Sequence, residues 1–147
     1  MGKKKEADMK SWGGRMKEWG GGDFAFLSSD GETITFIVVG LPELMESNYK
    51  GNIGERIGCP GVTENGYQLF VCGKRVARKL AKFEKHFATN AIMVIRHGVE
   101  GDQNAKYAVK VLPEKETFEA LVKIRDEDFT PSMIPESIKA ALDVMQK

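Results

Sequence analysis

YQLFVCGKRVARKLAKFEKHF, residues 67–87, changes period in its middle. Up to Cys72 the chain alternates, Tyr67, Leu69 and Val71 against Gln68, Phe70 and Cys72, as a β-strand does. After Gly73 the apolar positions become Val76, Leu80, Phe83 and Phe87, spaced as one face of a helix. Between Lys74 and Phe87 stand six Lys or Arg and one Glu. A strand therefore runs into a basic amphipathic helix of about four turns, with a stop expected at Thr89-Asn90.

Outward from this junction the pattern is mostly strand. AIMVI (91–95) reads as a buried strand closed by Arg96-His97-Gly98, and KYAVKVL (106–112) as another, closed by Pro113. Upstream, DFAFLS (23–28) and ETITFIVV (32–39) flank Ser29-Asp30-Gly31, the signature of a hairpin. Residues 40–66 hold six glycines and two prolines and read as a long loop or a poorly marked extra hairpin. Two amphipathic helices are expected at the end, over 117–125 and 136–146, with Pro135 tolerated in the first turn of the second.

The order is three strands, a helix, then two strands. It predicts a mainly β (α+β) protein, a five-stranded OB-fold barrel with a helix between strands 3 and 4. Three segments follow: a Trp/Gly/Lys arm over 1–22, the barrel over 23–113, and an acidic helical segment over 114–147. Deleting the last is expected to leave a folded barrel.

A net charge of +1 hides strong local imbalance. Residues 1–20 carry +3, residues 21–73 carry −5, residues 74–97 carry +6 and residues 113–147 carry −3. Binding responds to such local fields. No apolar run suffices for a membrane span, and no apolar stretch follows the basic N-terminus, so a cytoplasmic protein is expected. Two cysteines give no disulfide framework. Cys59, Cys72, His86 and His97 lack the close pair of a structural zinc site, so no metal or other cofactor is expected. Phosphate-loop, nucleophile-elbow and zinc-protease motifs are absent, and no enzyme activity is expected.

The runs YQLFVCGKRVARKLAKFEK and AIMVIRHGVEGDQNAKYAVKVLP resemble the barrel core of bacteriophage OB-fold single-stranded DNA-binding proteins. The shared positions are Lys74, Arg75, Leu80, Arg96, Gly98, Tyr107 and Val109. WGGGDFAFLSSDGETITFIVVGLP resembles their entry strands, so the likeness spans about residues 19–113. It implies single-stranded DNA binding without strong sequence preference, in protection of replication or recombination intermediates of a phage or mobile element. The location would then be a bacterial host's cytoplasm. One departure is at the end: many such proteins carry an acidic tip there, whereas this chain has Asp143-Val144-Met145-Gln146-Lys147. Its acidic-aromatic stretch is internal, Asp126 to Phe129.

Single-strand binding needs cations along phosphates and flat rings under bases. The candidates are Lys74 and Arg75 at the helix start, Arg96 and Lys106-Tyr107 around one turn, Tyr49-Lys50 in the glycine-rich loop, and Trp12 and Trp19 in the arm. Arg96 is expected to supply a groove contact of roughly 1–2 kcal/mol. Plainer roles stand beside these. Tyr107 suits a strand's packed face, Phe24, Phe26, Phe36, Phe83 and Phe87 suit a core, and the helix cations suit a solvated face. Two other functions remain open, a protein-interaction module on the same barrel and an RNA-binding protein. Replication or recombination proteins are candidate partners of the C-terminal segment, and self-association is a candidate as well.

Overall fold

The computed structural model describes residues 24–49, 51–102 and 104–145. It is a mixed α/β protein with seven strands and three helices. In chain order these are β1 (Phe24–Ala25), β2 (Thr33–Val38), β3 (Glu43–Tyr49), β4 (Asn52–Thr63), β5 (Gly66–Cys72), α1 (Lys74–Ala81), β6 (Ile92–His97), β7 (Lys106–Val111), α2 (Lys115–Asp128) and α3 (Met133–Met145).

The hydrogen-bonded order is β1-β5-β4-β2-β6-β7, with β3 on β4. All pairs are antiparallel except β1 on β5. The sheet has seven strands and does not close: among the described residues β5 and β7 share no ladder, and β1 takes part of the β5 edge at Leu69 and Phe70. The expected β1–β2 hairpin does not form either. Gly31 does turn the chain (φ 81°), but its N–H donates to the Arg96 carbonyl at 2.8 Å, serving the β2–β6 pair.

The glycine-rich stretch is the larger surprise. It forms the β3–β4 hairpin, and β4 is the longest strand although it contains Gly54, Gly58, Pro60 and Gly61. Neighbouring side chains explain two of these glycines. A Cβ on Gly61 would lie 2.8 Å from the Phe36 ring, and one on Gly58 would meet Leu69 at 3.0 Å. Bulky residues pack over the bare backbone there, so β4 is built for close approach rather than for strand propensity.

Helices cover both faces of the sheet, and β5 shows why. Phe70 and Cys72 join a core with Phe36, Ile92, Val94 and the Val76 and Leu80 stripe of α1. Leu69 and Val71 face the other way, into a core with Phe24, Met45 and Ala141 of α3. Leu121 of α2 packs on Ile37, Val62 and Ala91. Tyr67 fastens this layer, its hydroxyl 2.8 Å from Ser137 Oγ and its ring stacked on Phe129 at 5.3 Å. Phe26 departs from the core expectation and stays 39% exposed.

The C-terminal segment therefore seals two of three apolar clusters. Its removal would bare Ile37, Met45, Val62, Leu69 and Val71. At about 1.5–3 kcal/mol per side chain, that loss is comparable with a whole domain's stability. A chain ending at residue 113 should lose its cooperative urea transition by circular dichroism, contrary to the expectation from sequence.

The basic helix is shorter than expected. After Ala81 the Lys82 and Phe83 amides bond three residues back, to Lys79 and Leu80, and one 3-10 turn, Glu84–His86, follows. Such tightening commonly ends a helix. Among the described residues no helix is long and apolar enough to cross a membrane.

Candidate nucleic-acid interface

The start of α1 breaks local rules of helix design. Gly73 supplies no side-chain cap and the first turn holds no acid, only Lys74 and Arg75. Cations at the positive end of a helix dipole cost about 0.3–1 kcal/mol each where uncompensated. Lys74 is compensated: its Nζ lies 2.5 Å from Glu55 Oε1 on β4. Glu55 itself stands opposite Glu46 in the β3–β4 register, a like-charge pairing that Lys74 relieves. No ion pair is seen for Arg75 among the described residues.

Arg75 opens onto the seam between α1 and β7. There Arg75, Val76, Lys79, Ala105, Lys106 and Tyr107 line a pocket of about 290 Å3. Lys79 follows Arg75 by four residues, on the same helix face, and its Nζ donates to the Tyr107 carbonyl at 2.8 Å. β7 contributes by alternation. Tyr107, Val109 and Val111 turn toward the α1 core, while Lys106 and Lys110 stay exposed. Three cations thus share one pocket with Tyr107, with Val76 and Ala105 as apolar wall.

Arg96 has a different place. It pairs with Tyr107 across the β6–β7 ladder and is only 7% exposed. Its Nη1 donates to the Tyr107 hydroxyl at 2.7 Å, its Nε to the Gly98 carbonyl at 3.0 Å and its Nη2 to the Val99 carbonyl at 2.7 Å. The guanidinium carbon lies 5.7 Å from the Tyr107 ring centre. Gly98 completes the turn at φ 144°, where a Cβ would lie 2.8 Å from Ala105, and its N–H donates to Asp30 Oδ1 at 2.9 Å. Arg96 holds Tyr107 and the turn in place, and its donors face inward.

The sequence candidates thus divide. Arg75, Lys106 and Tyr107 share the pocket, Lys74 adjoins it, and Arg96 stands beneath it. Tyr49 closes the β3–β4 hairpin opposite Asn52, about 10 Å along β4 from Glu55 at ~3.3 Å per residue. Trp12, Trp19 and Lys50 lie outside the described residues. Lys79 is not among the sequence candidates, although its four-residue spacing from Arg75 is visible in the sequence.

Cys59 and Cys72 are buried in the α1 core, with their sulfurs 3.9 Å apart. The hydrogen bond with Cys59 and burial push the Cys72 thiol up, so it remains protonated and acts as packing. Among the described residues no three or more His, Cys, Asp or Glu side chains are grouped so as to hold a metal ion. Comparison with protein-family models, curated proteins and solved structures finds no match to this chain.

Proposed function

We propose that this chain binds single-stranded DNA with little sequence preference, sheltering replication or recombination intermediates. The meeting of Arg75, Lys79 and Lys106 in one pocket with Tyr107 carries this reading. Phosphates would take the cations and a base would lie against the ring, the two functions such binding requires. The uncapped, doubly cationic start of α1 supports it, because an incoming phosphate would relieve the charge that the helix dipole disfavours.

Chain order supports an open relative of the OB-fold as scaffold. With β1 and β3 set aside, β2, β4, β5, α1, β6 and β7 reproduce three strands, a helix and two strands. β6 returns beside β2, so the spatial order β6-β2-β4-β5 is that of a Greek key.

Titration of labelled single-stranded DNA, duplex DNA and RNA at two salt concentrations tests the reading. Three neutralised phosphates predict a slope of log K against log salt near −2 for single strands. Duplex affinity equal to or above that for single strands would overturn it. A preference for RNA would reassign the ligand. Binding to none of the three would leave the pocket to an acidic protein partner.

A further inference from the structure

A second cleft shares no residue with the cationic pocket. It is open, about 770 Å3 in volume, and lies between the loop after β1, the tip of the β4–β5 hairpin and the start of α2. Its charged lining has one sign, Glu32, Glu64 and Glu116, without Lys or Arg among the described residues. Its apolar lining includes Phe26, Leu112 and Leu121. Phe26 is the oddity. It sits edge-on to buried Phe24 at 5.5 Å, yet it remains partly exposed where Phe24, Phe36 and Phe70 are covered.

The chain's own N-terminal arm fits this cleft on three counts. It arrives there, since β1 begins at Phe24 while Ala25 and Phe26 line the cleft. It has the opposite charge, with six Lys or Arg against three acids over residues 1–20. It also carries Trp12 and Trp19, each followed by two glycines, as apolar surface that could cover the exposed part of Phe26. Trp19 precedes Phe24 by five residues and reaches about 17 Å when extended, and Trp12 by twelve, about 40 Å. Both lengths suffice.

We propose that the acidic cleft seats the Trp-Gly-Gly arm of the same chain, its rings against Phe26 and its lysines facing Glu64 and Glu116. The proposal stands whether or not the chain binds nucleic acid. The sequence itself provides the probe, because its two tryptophans both lie in the arm. Tryptophan emission from the whole protein therefore reports the arm alone.

At low salt the emission should be blue-shifted, and acrylamide quenching about threefold weaker, relative to the same chain in denaturing urea. Glu64→Lys/Glu116→Lys should return both readouts to the urea values while leaving the melting temperature within a few degrees. The arm-side reversal Lys10→Glu/Lys17→Glu, which alters no described residue, should do the same. The two reversals together should restore protection in part. Emission that already matches the urea state at low salt, or that ignores both reversals, would overturn the proposal. Protection that appears only as protein concentration rises would also overturn it, giving the cleft to the arm of a second copy.

Discussion

Two arginines flank Tyr107. At the β6–β7 turn, Arg96 is buried and donates to two carbonyls and the tyrosine hydroxyl. At the α1–β7 seam, Arg75 is exposed, joined by Lys79 and Lys106, and unpaired with any acid among the described residues. The first guanidinium has exchanged water for fixed protein acceptors, so its energy is invested in shape. The second keeps its donors for whatever arrives. Residue type is the same, and burial divides the roles.

The sharpest way to break this contrast is Arg96→Ala. Loss of a buried charged donor that serves three acceptors should cost roughly 2–4 kcal/mol of stability, read as a lower urea midpoint with an unchanged slope. Stability within about half a kcal/mol of the parent would mean that the turn does not depend on it. Sequence position alone assigns binding to the same residue, but the contrast assigns it elsewhere. Arg75→Ala and Lys106→Ala should each weaken single-strand binding by about 1 kcal/mol, five- to tenfold, at nearly parental stability.

Smaller effects sharpen the boundary of the site. Glu55→Gln removes the carboxylate that holds Lys74 and also relieves Glu46, so affinity for single strands should rise about two- to threefold at low salt. An unchanged or lower affinity would show that Lys74 lies outside the ligand path. Smallest of all, Lys82→Ala or Lys85→Ala, beyond the end of α1, should change affinity by only a few tenths of a kcal/mol. Losses equal to that of Arg75→Ala would move the binding face onto the outer side of the helix.

Much of this arrangement is readable from pattern. β5, β6 and β7 alternate or run apolar between clear breaks, and α1 announces itself by a change of period at Gly73. The β3–β4 hairpin is not readable, because its glycines answer to Phe36 and Leu69 on neighbouring strands rather than to local propensity. The Asp30-Gly31 turn misleads for a related reason: the turn forms, but β2 pairs with β6 instead of with the strand before it. Within the site, Arg75, Lys106 and Tyr107 are legible because they flank strand ends. Arg96 has the same sequence credentials as they do. Only the turn folding back over it at Gly98 and Val99 shows that its donors are already used.

The open seam between β5 and β7 has a mechanical consequence. β2 is hydrogen-bonded to β6 through Thr33 to Phe36 and to β4 through Ile37 and Val38, whereas among the described residues β7 pairs with β6 alone. Across the gap α1 acts as a buckle, with Lys74 on Glu55 of β4 and Lys79 on the Tyr107 carbonyl of β7. Main-chain amides of β7 should thus exchange with solvent deuterium sooner than those of β2, and the pocket wall they form should yield before the sheet does. If a strand of DNA lies there, a purine in place of a pyrimidine is met by a small swing of β7, without repacking the core. Indifference to sequence would then have an elastic origin, in one edge that the fold leaves unzipped.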